Sequence, residues 1–415
     1  DLLLQTFEHL QPCAGCAWLS CGVISSAPTS SSPTALLHWE EHGQTHQALW
    51  RSENGAGPPR RVLLADDRLS ADRAYRLVCE GTGLLWRGDF QNARQLLQAL
   101  HRRVERSLQG RAPPASPAGS ATPPGQAFHL HRKTQAQRSR ILGLVLIELG
   151  PGYRCDLRRA PDVKSACELA WGPTEDSSVV PLQALQGLIG AREWYRKGVP
   201  VAELEDHIHP HYGVFSPLRG EYLTLVAQAP LPVVLQTHPV AMDVGTGTGV
   251  LAALLARRGV EQVLATDLSD RALACAQDNL QRLGLSGVKL LKADLFAPGQ
   301  AALIVCNPPW LPARPSSTVE QALYDEDSRM LRGFLQGLRA HLIVGGEGWL
   351  ILSDLAEHLG LRTREQLQQW IAGAGLKVLG RLDTRPSHGK ARDASDPLHT
   401  ARAAEVTSLW RLGAA

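Results

Sequence analysis

From about residue 231 the sequence alternates between short apolar runs and helix-length segments, and this alternation strongly constrains the fold. The candidate strands are PVAMDV, QVLATDL, VKLLKADL, ALIVCNP, GWLILSD, LKVLGRL and TSLWRL. Strands that alternate with helices form a parallel sheet with helices on both faces. The last two runs have no amphipathic helical pattern between them, so we expect an antiparallel hairpin across the loop 382–406. The predicted fold class is α/β.

Residues 1 to about 200 show mostly helical patterns. Apolar residues recur at three- and four-residue steps within 89–108, and helical patterns return at RSRILGLVLIEL and PLQALQGLIGAREWYRKG. RRVLLADD at 60–67 is a candidate strand. Residues 107–127 contain five prolines among Gly, Ser and Ala, which predicts a flexible loop.

These patterns divide the chain into five segments. We predict an N-terminal accessory region at 1–106, the flexible loop at 107–127, a helical continuation of the accessory region at 128–200, a connector lining the functional site at 201–232, and a Rossmann-like domain at 233–415.

Composition is typical of a soluble globular protein, with 44% hydrophobic and 20% charged residues among 415. The net charge of +3 permits an anionic partner but does not require one. No run of 18 apolar residues indicates a transmembrane helix, and the opening DLLLQTFEHLQ lacks the features of a signal peptide. Most cysteines lie in apolar contexts typical of reduced thiols. We therefore expect a cytoplasmic protein without membrane contact.

Two segments have spacings that occur in metal sites. CAGCAWLSC contains Cys13, Cys16 and Cys21, but no second CxxC supplies further ligands. HIHPH at 207–211 would place three histidines on one strand face, and no carboxylate cluster accompanies them. We favour a polar hinge there and expect no metal.

The stretch MDVGTGTGVLAALLARRG predicts a ligand-binding loop between a strand and a helix. Glycines at 245, 247 and 249 allow a sharp turn and the close approach of a ligand. The third glycine comes one residue too early for the dinucleotide fingerprint, and the Gly-Lys-Ser/Thr of a Walker loop is absent. Asp243 would repel a pyrophosphate at this place, so it favours a cationic or amine-bearing ligand.

Two further aspartates end the next two strands, Asp267 in ATDLSD and Asp294 in KADLF. A carboxylate at the tip of the second strand can accept hydrogen bonds from both ribose hydroxyls. The alternative is helix N-capping by either residue. Three acidic strand ends around one crevice favour a ligand site over capping.

With DVGTGTG, TDLS, KADLF and NPPW in order over roughly 230–415, the sequence resembles class I S-adenosylmethionine-dependent methyltransferases. The resemblance implies a seven-stranded Rossmann-like sheet with an antiparallel last strand, and S-adenosyl-L-methionine as cofactor. In that family the glycine loop holds the methionine part of the cofactor. The aspartate that ends the second strand, here Asp267, holds the ribose, and the one that ends the third strand, here Asp294, flanks the adenine. The implied cofactor-binding residues are Asp243, Gly245, Thr246, Gly247, Gly249, Asp267, Leu268, Asp294, Leu295 and Asn307.

The NPPW segment follows the fourth predicted strand, and in the family it marks enzymes that methylate a nitrogen attached to a π-system. Such a nitrogen is a poor nucleophile because its lone pair is delocalised. The Asn307 side-chain oxygen and the Pro308 carbonyl could accept its hydrogens, Pro309 would stiffen the turn, and Trp310 could stack on the planar group. Position and desolvation would carry most of the rate effect. A strand-terminating turn with Trp310 in the core is the structural alternative.

The segment YGVFSPLRGEYLTLVAQAPLP at 212–232 resembles the one that precedes the glycine loop in the "small-domain" methyltransferases. That group includes release-factor glutamine and ribosomal-RNA guanine methyltransferases. In YDEDSRMLRGFL we expect a helix over the substrate mouth, with Asp327 and Arg329 as candidate contacts. The candidate site residues in the segment 212–232 are Phe215, Pro217, Arg219, Glu221 and Tyr222.

We expect substrate contacts from Phe215, Arg219, Tyr222 and Trp310. Since the family commonly has Tyr or Phe where Trp310 stands, the acceptor pocket is expected to differ in shape.

The sequence thus predicts an N-methyltransferase whose acceptor is either a nucleobase in RNA or DNA or a glutamine amide in a translation protein. RNA, the ribosome or a translation protein would be the partner. The alternative is a cofactor-binding protein without turnover, in which the N-terminal region is an interaction module.

Overall fold

The computed structural model describes the chain over residues 35–109, 124–218, 220–315, 320, 323–386 and 396–415. The chain forms two compact units, the first comprising 1–117 and 132–193 and the second comprising 118–131 and 194–415. The three cysteines of CAGCAWLSC and most of the predicted flexible loop lie outside the described residues.

The N-terminal part of the chain contains six strands and five helices among its described residues. In chain order they are β1 (Leu36–Glu41), β2 (Gln44–Trp50), β3 (Arg61–Ala65), α1 (Ala71–Cys79), β4 (Thr82–Trp86), α2 (Phe90–Gln109), α3 (Pro124–Leu142), β5 (Val145–Leu149), α4 (Lys164–Trp171), β6 (Ser178–Pro181) and α5 (Leu182–Lys197).

The six strands of the first unit form one mixed sheet in the order β1-β2-β6-β5-β4-β3. The prediction for this region was a largely helical fold, and α2, α5 and the strand β3 lie at their predicted positions. The sheet around which they are arranged was not predicted beyond β3.

The helical prediction for RSRILGLVLIEL is wrong in its second half. Helix α3 ends at Leu142, and Val145–Leu149 is a strand that pairs with β4 and β6. Val145, Leu146 and Ile147 are fully buried. A short apolar run in a sheet centre looks the same in sequence as a segment of buried helix, which explains the error.

The remainder of the chain contains nine strands and seven helices among its described residues. They are β7 (Val199–Val201), β8 (Asp206–Ile208), α6 (Glu221–Gln228), β9 (Val240–Val244), α7 (Val250–Arg257), β10 (Gln262–Asp267), α8 (Asp270–Arg282), β11 (Val288–Lys292), β12 (Ala301–Cys306), α9 (Arg329–His341), β13 (Leu342–Ser353), α10 (Leu355–His358), α11 (Arg364–Gly373), β14 (Leu376–Thr384), α12 (His399–Ala404) and β15 (Thr407–Ala414).

Seven of these strands form one sheet in the order β11-β10-β9-β12-β13-β15-β14. Strand β15 runs antiparallel to both of its neighbours, while the other pairs are parallel. All seven predicted strands and the antiparallel β14–β15 hairpin are present, so the predicted α/β fold is confirmed. The strand order reverses between β9 and β12, so the crevice at their carboxyl ends is the expected ligand site of such a sheet.

The core of the second unit has two apolar layers, one on each face of the sheet. In β12, Leu303 and Val305 belong to one layer, whereas Ile304 and Cys306 belong to the other. Successive side chains of a strand point to opposite faces, so a central strand buried on both sides is apolar throughout. The two layers hold the ends of β9, β10 and β12 in place at one edge.

Among the described residues, no helix is long and apolar enough to cross a membrane.

Candidate functional site

The glycine loop joins β9 to α7 with its backbone in the left-handed region at three positions. Gly245, Gly247 and Gly249 have φ values of +74°, +56° and +81°. The amides of Gly245 and Thr246 donate to the carbonyl of Thr266 on β10, at 2.9 and 2.8 Å. A Cβ added at Gly247 would meet no atom within 4 Å. The loop is therefore anchored to the sheet and presents bare backbone to open space at Gly247.

Asp243 lies under this loop and is fully buried. Its Oδ2 accepts hydrogen bonds from the Thr246 hydroxyl at 2.6 Å and from the Ala252 amide at 3.0 Å. Its Oδ1 is buried and has no hydrogen-bond partner among the described residues. Burial raises the pKa of Asp243 to about 7. A buried oxygen without a donor fits the amine-bearing ligand that the sequence predicts, because such a ligand would supply the missing donor.

Asp267 ends β10 and contacts the same loop. Its Oδ2 accepts from the Gly247 amide at 3.0 Å, and its Oδ1 accepts from the Ser269 amide at 2.9 Å. Burial raises its pKa. Each carboxylate oxygen can accept a second hydrogen bond, so capacity for ribose hydroxyls remains.

Asp267 and Asp294 do not act as helix N-caps. The side chain of Ser269, not Asp267, caps α8 by accepting from the Ala272 amide. Asp294 lies in the segment 293–300 between β11 and β12, where every residue is described and none is helical.

Asp294 is exposed and forms an ion pair with Arg329 at the start of α9. This places Arg329 beside the aspartate predicted to flank the adenine. Neighbouring Leu295 has a φ of +79°, which is strained for a leucine, and its carbonyl accepts from the Thr266 hydroxyl. Leu268, which directly follows β10, is 60% exposed.

The NPPW turn directly follows β12, which is the neighbour of β9 in the sheet. Pro308 is buried, while Asn307, Pro309 and Trp310 are partly buried. The indole N–H of Trp310 donates to Asn307 Oδ1 at 2.9 Å. The sequence did not predict this contact, which uses the atom expected to face the acceptor.

The connector places one of its predicted residues, Tyr222, beside this turn. Tyr222 on α6 is buried and lies close to the Asn307 side chain. Phe215 and Trp310 pack against the apolar layer that contains Tyr222. Arg219 lies outside the described residues.

The structure also places the other candidate residues of 212–232 and of YDEDSRMLRGFL. Pro217 is buried, and Glu221 is the first residue of α6. Asp327 has a left-handed φ of +55° in the turn before α9.

Asn279 on α8 is a buried residue at this site that the sequence motifs did not indicate. Its Oδ1 accepts from the His209 amide at 2.7 Å, and its Nδ2 donates to the carbonyls of Thr248, His209 and Cys275 at 3.1, 3.2 and 3.1 Å. One side chain thus ties the connector to the glycine loop. An Asn on the otherwise apolar buried face of α8 was the available signal, since buried amides are normally fully hydrogen-bonded.

The HIHPH histidines make local contacts. His209 Nδ1 lies 2.6 Å from the carbonyl of Tyr195, and His211 Nε2 lies 3.3 Å from Asp278 Oδ2. Within the described residues, no group of three or more His, Cys, Asp or Glu side chains is placed to hold a metal ion.

Comparison with known families gives a match in the second unit. Residues 206–355 match the family model described as the methyltransferase small domain. The resemblance predicted from the glycine loop, the acidic tips and NPPW is thereby confirmed. The match includes the connector from β8 onward and all of these motifs.

Curated relatives match part of the chain. A release factor glutamine methyltransferase of Thermosynechococcus vestitus is 34% identical over 164 residues, which are 38% of this chain and 53% of that protein. A tRNA1(Val) (adenine(37)-N6)-methyltransferase of Cytophaga hutchinsonii is 29% identical over 137 residues, which are 31% of this chain and 57% of that protein. The chain spans about half the length of the curated relatives it matches.

Among solved structures, a ribosomal protein L11 methylase from Lactobacillus delbrueckii subsp. bulgaricus aligns with a TM-score of 0.34 and 20% identity. The alignment covers 51% of this chain and 86% of the other.

Proposed function

We propose that the chain is an S-adenosylmethionine-dependent N-methyltransferase that acts on a planar nitrogen. The observation that carries the proposal is the joint placement of the glycine loop and NPPW at the ends of the adjacent strands β9 and β12. The loop is suited to a cofactor and the turn to a methyl acceptor, and the sheet holds both at one edge.

The residues of the loop fit S-adenosylmethionine. The unpartnered Oδ1 of Asp243 would face a donor, Gly247 would let a ligand approach the backbone, and Asp267 would accept ribose hydroxyls. Leu268, Asp294 and Leu295 would flank the adenine. When bound, the cofactor supplies an electrophilic methyl group on its sulfonium.

The chain's own part in the reaction is to hold the acceptor nitrogen. Asn307 Oδ1 and the Pro308 carbonyl would accept its two hydrogens and orient its lone pair. Phe215, Tyr222 and Trp310 would form an apolar wall that excludes water from the planar group. These groups act by position, which makes a strong general base unnecessary.

For the acceptor we propose either an exocyclic amine of a nucleobase or a glutamine amide in a translation protein. The names of the relatives support both, since one acts on a release factor glutamine and another on a tRNA adenine. Residues 1–200 would select the acceptor, and the protein would act in the cytoplasm.

Calorimetry with S-adenosylhomocysteine and the full chain tests the cofactor site. We expect micromolar affinity for the wild type, a loss of at least about tenfold in Asp267→Ala, and unchanged affinity in Asn307→Ala. Asp270→Ala is the matched control, because Asp270 is exposed and pairs with Lys292 rather than with the loop. Absence of binding by the wild type would refute the proposal.

A further inference from the structure

Trp310 makes a contact that a stacking role does not require. Its indole N–H donates to Asn307 Oδ1 at 2.9 Å, and the buried Tyr222 lies close to the same carboxamide. Trp310 lies three residues after Asn307 in the same turn, whereas Tyr222 comes from α6. The Asn307 carboxamide therefore has polar neighbours from two elements, of which Trp310 makes the hydrogen bond.

The chemistry of the three groups fixes which way the amide points. An indole N–H is only a donor, so the atom that it meets must be the carboxamide oxygen. The amide nitrogen is then the group left to donate, and the nearby Tyr222 hydroxyl can accept a hydrogen bond. Burial raises the pKa of Tyr222, so this group stays protonated. The reversed amide would set two N–H donors against each other.

We propose that Trp310 is a positioning residue that orients Asn307 for methyl transfer. A carboxamide oxygen has two lone pairs, and the indole takes one of them. The other is directed by this contact toward the acceptor nitrogen and takes one of its hydrogens. A phenylalanine at 310 would supply a flat ring but no donor, so the two amide orientations would compete. This proposal rests on the proposed function and deepens it.

Trp310→Phe is the decisive variant, because it keeps an aromatic face and removes only the N–H and part of the ring. We expect S-adenosylhomocysteine affinity within about twofold of wild type and an unchanged melting temperature. The rate of labelled methyl transfer into cell extract should fall on the order of tenfold, as loss of one hydrogen bond predicts. Trp370→Phe on α11 is the control, since Trp370 packs beside Arg332 and has no part in the turn.

A second measurement does not depend on turnover. The indole N–H signal of Trp310 in a ¹H–¹⁵N spectrum is assigned by its absence in Trp310→Phe. In Asn307→Leu it should shift upfield and exchange faster with solvent, because its acceptor is gone. An unmoved signal would overturn the proposal.

The kinetic outcomes separate this proposal from the function on which it rests. Wild-type transfer at a rate that Trp310→Phe fully retains would overturn the role of the indole and leave the methyltransferase intact. A wild type that binds no S-adenosylhomocysteine and transfers no methyl group would overturn the function itself.

Discussion

Alanine at Gly247 would add one methyl group to the loop, and a control glycine allows its effect on ligand binding to be distinguished from its effect on backbone strain. Gly247 and Gly259 both have left-handed φ values, +56° and +90°, and a Cβ at either would meet nothing within 4 Å. Alanine should therefore cost each site a similar 1–2 kcal/mol or so of folding free energy. Only at Gly247 would the methyl group lie where the cofactor approaches, so Gly247→Ala should weaken S-adenosylhomocysteine binding by at least about tenfold.

Urea unfolding and calorimetry on the two alanine variants check this prediction. Gly259→Ala should keep wild-type affinity at a comparable loss of stability. Equal affinities in the two variants would show that Gly247 does not border the cofactor.

The sequence predicts which residues lie at the strand ends, but it does not predict which side chains contact one another there. Asp243 and Asp267 follow apolar runs, so their place at the carboxyl edge follows from the strand pattern alone. The Trp310–Asn307 contact depends on how a proline-rich turn folds back on itself, and the Tyr222 contact depends on the packing of α6. Neither has a periodic signature.

At the level of elements, α8 links the glycine loop to the connector. Asn279 makes hydrogen bonds to His209, Thr248 and Cys275 from a buried position. Asn279→Ala would leave the His209 amide and the Thr248 carbonyl without this partner. We expect the free energy of unfolding to fall by about 1–3 kcal/mol and the affinity for S-adenosylhomocysteine to fall as well.

Gln281→Ala on the exposed face of α8 is the matched control, and it should change neither quantity. Chemical denaturation with calorimetry on both variants makes the test. Loss of stability without loss of affinity in Asn279→Ala would show that the connector and the loop are held independently.

Strands could be predicted where their length and the residues that end them were informative, and could not be predicted elsewhere. The strands β9 to β13 were predicted because glycines, aspartates and prolines end several of them and helices separate most of them. Strand β5 was assigned to a helix because it follows α3 after two residues, without a proline or polar turn to separate the patterns.

Over the whole molecule, the topology of the second unit could be predicted and that of the first could not. The order of seven strands follows from alternating strands and helices joined by right-handed crossovers, together with the family resemblance. The first unit mixes parallel and antiparallel neighbours, and its strands pair across long sequence separations, as β2 does with β6. Local patterns carry little information about such pairings.

The central claim is that this chain transfers a methyl group to a planar nitrogen, and labelled transfer tests it most directly. The full chain is incubated with S-adenosylmethionine carrying a tritiated methyl group and with cell extract. The products are then divided by ribonuclease and protease and hydrolysed to identify the methylated atom. We predict label on the nitrogen of one nucleobase or of a glutamine amide, and no label with Asn307→Ala. Label on oxygen or carbon, or a wild type that binds S-adenosylhomocysteine and transfers nothing, would contradict the account.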